Sequence, residues 1–155
     1  MKNTYKVVVA IAAASLITSL AVAPANAGTK QKVCVALDTA GINDKSFNQT
    51  SYEGAKAAKA AGYASTIEYL PAKSTADFTP NIQKFVDKKC TMIIGIGYLL
   101  GDAMKAAATK NPGINFAIVD QPSGPASNLK GIEYSTDENA FLVGYLAAAM
   151  SKTGK

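Results

Sequence analysis

The chain contains no histidine, and its 16 basic residues are all lysine. Histidine is the usual general base near neutral pH and the commonest metal ligand. Its absence removes most hydrolytic constellations and most metal centres. Two cysteines, Cys34 and Cys90, are too few to hold a metal by themselves. The lysines are scattered along helical patterns and form no clustered basic face of the kind nucleic-acid binding uses. Neither an internal repeat nor a low-complexity tract interrupts the sequence. An enzyme, a cofactor and a metal are not expected.

The N-terminus carries Lys2 and Lys6, then an apolar run over 7–23, then Pro24 and Ala25-Asn26-Ala27. A basic start, an apolar middle and an Ala-x-Ala site describe a secretory signal peptide over 1–27, cut after Ala27. A membrane anchor would want about 20 apolar residues, and Ser15, Thr18 and Ser19 interrupt this run. Export is the better reading. The 128 residues left carry 14 Lys against 11 acidic residues, a net charge of +3. That length suits one modest domain. In an exported chain the Cys34 and Cys90 pair suggests a disulfide, with two buried free thiols as the alternative.

Apolar runs and helical patterns alternate along the rest. Residues 33–37 are apolar on both faces, as a buried parallel strand should be. A helix is expected over 47–61, started by a Ser46–Gln49 capping box and stopped at Gly62. An outer strand follows at 66–70, then a helix opened by Thr79-Pro80 whose inward stripe is Ile82, Phe85 and Val86. Strand three is expected at 91–96 and a helix at 99–109, closed by Asn111-Pro112-Gly113. Strand four spans 115–119, residues 121–129 read as loop, and strand five spans 131–134. Ser135 and Glu138 suggest a second capping box before a helix at 137–151. This alternation predicts an α/β fold with a parallel sheet and right-handed crossovers. In a sheet of order 2-1-3-4-5, Cys34 in strand one and Cys90 just before strand three would be neighbours. The last helix, apolar on more than one face, would leave apolar surface uncovered within a single lobe.

The stretch Asp38-Thr-Ala-Gly-Ile-Asn-Asp44-Lys-Ser46-Phe47-Asn48-Gln49 forms the turn from strand one to the first helix. Such corners are where open α/β sheets bind ligands. An aromatic at Phe47, between Asp38 and Asn48, reads as a platform for a flat ligand or as a packing residue. Asp44 reads as turn chemistry. Gly95-Ile-Gly97-Tyr-Leu-Leu-Gly101 superficially matches a dinucleotide fingerprint with Asp120 downstream, but its spacing is one residue too long and it follows the third strand. Its glycines otherwise permit close backbone approach. Tyr98 stands at the mouth of strand three and could line a cleft. Asp120, at the end of strand four, otherwise reads as a polar strand end facing water. Asn48-Gln-Thr50 spells a glycosylation sequon.

The run over 38–58 resembles the Asp-x-Gly-Gly-Ile-Asp-Asp-Lys-Ser-Phe-Asn-Gln signature of the basic membrane protein family, substrate-binding proteins of ABC importers. Residues 93–104, 115–120 and 134–150 are similar as well. The sequence departs at Ala40, where the family usually has Gly, and at Asn43, where Asp is usual. The resemblance implies a periplasmic-binding-protein-like (type I) lobe with sheet order 2-1-3-4-5, helices on both faces and a second lobe missing. Residues 28–135 would form the N-terminal ligand-binding lobe, and 136–155 a crossover helix towards the absent one. It implies capture of a purine nucleoside, with Asp38, Phe47 and Asn48 on the base and Asp120 on the ribose side. An ABC permease would be the partner of the full-length form. Gly28 stands where the family carries a lipidated Cys, which favours an unanchored exported form, periplasmic or extracellular. The alternative is a regulatory or signalling half-domain that binds a ligand or partner without a transport role.

Overall fold

The computed structural model describes residues 29–154; the signal peptide expected over 1–27 lies outside them. Five strands form one sheet: β1 (Gln31–Ala36), β2 (Ala64–Leu70), β3 (Met92–Ile96), β4 (Asn115–Val119) and β5 (Leu129–Ile132). Their spatial order is β2-β1-β3-β4-β5 and every pairing is parallel. Four helices accompany them: α1 (Phe47–Ala60), α2 (Phe78–Asp87), α3 (Gly101–Lys110) and α4 (Thr136–Met150). The expected sheet order is the one observed.

The central strands β1, β3 and β4 are apolar over most of their length because helices pack on both sides of them. Cys34 and Ala36 of β1 point into a core with Phe78, Ile82 and Phe85 of α2 and Met104 of α3. Val33, Val35 and Leu37 point the other way, into a core with Ala55 of α1. Alternation with period two thus serves two cores rather than one core and water. Gly95 of β3 admits α3 to the sheet, since a Cβ there would lie 2.8 Å from the Met104 side chain. Cys34 and Cys90 form a disulfide with a Cα–Cα separation of 6.1 Å, and both are buried.

Several helix starts differ from expectation. Ser46 makes no capping hydrogen bond. Lys45 takes a left-handed turn, φ 53°, and Asp44 does the capping in its place. The Asp44 carboxylate accepts the backbone N–H groups of Ser46 (2.9 Å), Asn48 (2.9 Å) and Gln49 (3.0 Å). The Gln49 side chain turns instead to Glu53. Ser135 likewise makes no capping bond; the Tyr134 carbonyl accepts both the N–H and the hydroxyl of Thr136. A 3-10 turn, Thr75–Asp77, with a Ser74–Asp77 capping box, lets α2 begin at Phe78 ahead of Pro80. Proline is harmless there, because the first helical N–H groups have no intrahelical partner. Strand β5 lies two residues earlier than expected, with Leu129 buried. Gly131 allows this, since a Cβ would overlap the backbone of residues 121–123.

Acid should expose the Asp44 cap. Burial pushes the Asp44 carboxyl up, but the N–H groups of Gln49, Asn48 and Ser46 outweigh it and hold the carboxyl below its ordinary value. A depressed folded-state pKa stabilises the fold above the unfolded-chain value of about 3.9 and is lost as pH falls through it. The melting temperature is therefore expected to hold steady above about pH 5 and to fall below about pH 4. Asp44→Asn, which keeps the shape but cannot ionise, should make that fall shallower. Identical acid limbs in both melting profiles would exclude the cap as a contributor.

Helix α4 is different from the rest. Every one of its residues is exposed, with Phe141 at 70% and Tyr145 at 71%. It leaves the body after β5 and buries none of its residues against it, although a helix apolar all round is ordinarily a buried one. No helix among the described residues is long and apolar enough to cross a membrane.

Candidate functional site

The sheet order reverses between β1 and β3, and in open α/β sheets it is outside the carboxyl ends of the strands at such a point that ligands bind. Asp38 follows β1 and is half-buried. Its Oδ1 accepts two hydrogen bonds, from the Ala40 N–H at 2.8 Å and from Asn48 Nδ2 at 2.6 Å. Its Oδ2 lies beside Gly97, the residue after β3, where a Cβ would stand 3.3 Å away. Gly97 has φ 94°, which other residues rarely adopt. The glycines of the 95–101 run thus give room to Met104, Asp38 and Gln121 in turn. Close approach accounts for them without a dinucleotide.

Asn48 lies behind Asp38. It is fully buried, at 0% exposure, and its Oδ1 has no hydrogen-bond partner. A buried side chain whose amide is already committed is closed to glycosylation in the folded state. Phe47, its neighbour in the first turn of α1, faces outward at 43% exposure. The ring meets Tyr134 edge-on, with centroids 5.9 Å apart and planes at 69°. Ser46, Phe47, Thr50, Ser51 and Tyr134 line a recess of about 270 Å³.

Tyr98 follows Gly97 and is 60% exposed. Its carbonyl accepts from Gln121 Nε2 at 3.4 Å. Asp120 ends β4 in the left-handed region, φ 67°, held by its N–H on the Ile132 carbonyl at 2.8 Å. A non-glycine residue at positive φ is a local strain that surrounding structure must hold, and such strain clusters at functional sites. Asp38 and Asn48 are therefore in direct contact, and Gly97 abuts Asp38. Asp120 sits on the same carboxyl edge beside Gln121, while Phe47 contacts Tyr134.

Tyr134 and Gln121 carry no signal of a role in the sequence. Tyr134 reads as the end of strand five, which hides its place as an exposed aromatic on the tether to α4. Gln121 reads as exposed loop. Its packing on Gly101 and its bond to Tyr98 have no local sequence signal. Cys90 stands at the amino end of β3 and Cys34 within β1, both in the core beneath α2 and α3. Among the described residues, no group of three or more carboxylates, cysteines or histidines is arranged to hold a metal ion.

The family model for PnrA-like ABC transporter substrate-binding proteins (Bmp) matches residues 30–155. The chain belongs to this family. Among its Bmp relatives is the ABC transporter nucleoside-binding protein BmpA of Lactococcus lactis, 34% identical over 134 residues, which cover 82% of this chain and 37% of BmpA. Basic membrane protein A of Borreliella burgdorferi is 35% identical over 117 residues, covering 74% of this chain and 34% of that protein. The chain thus spans about a third of the length of these Bmp relatives. Solved ABC transporter solute-binding proteins share the fold. That of Aeropyrum pernix aligns with a TM-score of 0.63 at 25% identity, covering 75% of this chain and 32% of its own. That of Conexibacter woesei aligns at 0.54 and 21%, covering 75% and 39%.

Proposed function

We propose that this chain forms one wall of a purine-nucleoside site in the substrate-binding component of an ABC importer. The observation that carries the reading is the Asp38–Asn48 hydrogen bond, which ties Asp38, whose Oδ2 accepts nothing from the described residues, to the first turn of α1, where Phe47 exposes its ring. Phe47 would stack on the base, a contact worth about 1–3 kcal/mol. Asp38 would accept from a base N–H, Asp120 would take the ribose diol, and Tyr98 would border the opening. Asn48 supports Asp38 from behind. The relative named as nucleoside-binding, BmpA, is 34% identical over most of the chain, and this supports the choice of ligand class.

Residues 136–155 would lead to a second lobe that closes over the ligand and covers α4, while 1–27 would direct export to the periplasm or cell exterior. Capture and closure make and break no bonds. A second reading, a partner-binding or regulatory half-domain, draws on the same exposed α4, whose apolar side chains could equally meet another protein.

A ligand that binds only the folded state raises its melting temperature. With a dissociation constant of about 0.2 mM, 1 mM nucleoside would add about 1 kcal/mol, a shift of several degrees for a domain of this size. Adenosine, guanosine and inosine should each be tried by thermal unfolding. No shift with any of them, alongside a shift with some other small molecule, would remove the purine claim.

A further inference from the structure

We propose that α4 docks on a second copy of this chain, in an apolar groove beside α1, so that two copies exchange their last helices. In a form that carries a second lobe, α4 would go to that lobe instead; the inference concerns the 155-residue chain and does not depend on the nucleoside reading. Its first observation is a gap in the helix cover. Helices α2 and α3 share one face of the sheet, whereas α1 is the one helix packed on the other among the described residues. Met92 and Ile94 of β3 pair with Asn115 and Ala117 of β4, and Val119 pairs with Ile132 of β5, so these residues share the α1 face. No helix lies over them beyond α1. Met92, Ile94 and Ala117 are only partly buried, and Ile132 is 45% exposed. Met92, Ile94 and Ile132, with Gly54 and Ala58 of α1, border a groove of about 500 Å³ that no charged residue lines. A Cβ on Gly54 would meet nothing within 4 Å, so the α1 side of the groove is open to the close approach of another helix.

The second observation is that the chain carries a helix to match. After Glu138 no residue of α4 is charged, and Leu142, Tyr145, Leu146 and Ala149 form one stripe at i, i+3, i+4 and i+7. The three large side chains of that stripe are between 59% and 71% exposed. The third observation is whose groove it can reach. Three residues join β5 to α4, and Tyr134 among them lines the groove and rests edge-on against Phe47. For α4 to turn back onto its own sheet, Tyr134 would have to leave that contact. A helix from a second copy requires no such release. Helix α4 has 15 residues, a length of about 22 Å. Two such helices, each laid in the other copy's groove about a two-fold axis, would bury on the order of 1,000–2,000 Å², the size of a stable interface. The exchange uses both apolar surfaces of each copy and leaves neither in water.

The test is sedimentation velocity on the full chain and on two variants, Leu142→Glu/Leu146→Glu in α4 and Ala58→Glu in the groove. These positions are exposed or only partly buried, so the substitutions spare the core. The unaltered chain should form a two-copy species as its concentration rises. Each variant alone should associate about a hundredfold more weakly or worse, because both contacts of its pair are damaged. Mixed in equal amounts, the variants should recover a two-copy species, since the intact helix of one meets the intact groove of the other. A chain that stays single at every concentration overturns the proposal. So does association that both variants keep, which would place it in the apolar run over 7–23. No recovery on mixing two variants that each melt cooperatively overturns it as well. Hydrogen exchange on the unaltered chain covers misfolding of a variant. The amides of 139–150 should gain protection as the chain is concentrated. Protection that does not change with concentration, whether high as for a helix folded back or low as for a free one, overturns the proposal.

Discussion

Breaking the Cys34–Cys90 bridge is expected to lower the free energy of unfolding by about 4 kcal/mol. The two cysteines are 56 positions apart, and the closed loop contains α1, β2 and α2. Cross-linking a loop of that length removes much of the freedom of the unfolded chain. Both residues are buried, at 0% and 1% exposure, so the bridge also fills core between β1 and the entry to β3. The expected loss is a large share of the roughly 5–15 kcal/mol that keeps a domain folded. The check is urea unfolding of the oxidised chain against the Cys34→Ala/Cys90→Ala variant. With a slope of about 2 kcal/mol per molar urea, the midpoint should drop by about 2 M. Overlapping curves would show that the bridge stabilises nothing. Such a bridge persists in oxidising compartments, which agrees with the proposed export.

How much of this was legible in the sequence varied with the kind of signal. Strands β1, β3 and β4 announce themselves as short apolar runs ending in polar loops, and parallel pairing then places those loops together. At the start of α1 two capping signals compete. Ser46 and Gln49 have the spacing of a capping box, yet Lys45 turns left-handed and brings the Asp44 carboxylate under three N–H groups. A charged acceptor serving several donors prevails over a serine hydroxyl serving one. The burial of Asn48 has a periodic signal in the sequence. Asn48, Tyr52 and Ala55 are spaced i, i+4, i+7 and so share one face of α1. Ala55 is buried and Tyr52 packs on the same core, which carries Asn48 inward with them. Phe47, one position earlier, is rotated out of that stripe. Helix α4 was legible as a helix without a partner, because its apolar residues occupy every side. The cleft residue Gln121 was not legible, because its role depends on Gly101, which reaches it only through tertiary folding.

Asp38→Ala and Asp38→Asn are expected to separate what the carboxylate does for the fold from what it does for the ligand. Asp38→Ala removes both oxygens. Asn48 then has no acceptor for its amide and already has an unpartnered Oδ1, so a buried polar group is left without partners. Stability should fall by about 1–3 kcal/mol. Nucleoside affinity should fall by at least tenfold with loss of a hydrogen bond to a charged acceptor, worth about 1.5–3 kcal/mol. Asp38→Asn keeps the shape. Its oxygen can still accept from Asn48 and the Ala40 N–H, which places its NH₂ group beside Gly97, where Oδ2 stands now. The fold should therefore melt within a degree or two of the unaltered chain. The crevice would nevertheless present a donor to the base N–H instead of an acceptor, and opposed donors repel. Affinity for inosine should fall as far as in Asp38→Ala or further. Thermal unfolding with and without 1 mM inosine reads both quantities in one experiment. Inosine binding by Asp38→Asn at the strength of the unaltered chain would show that Oδ2 does not face the base, and the ligand geometry proposed for this crevice would have to be abandoned.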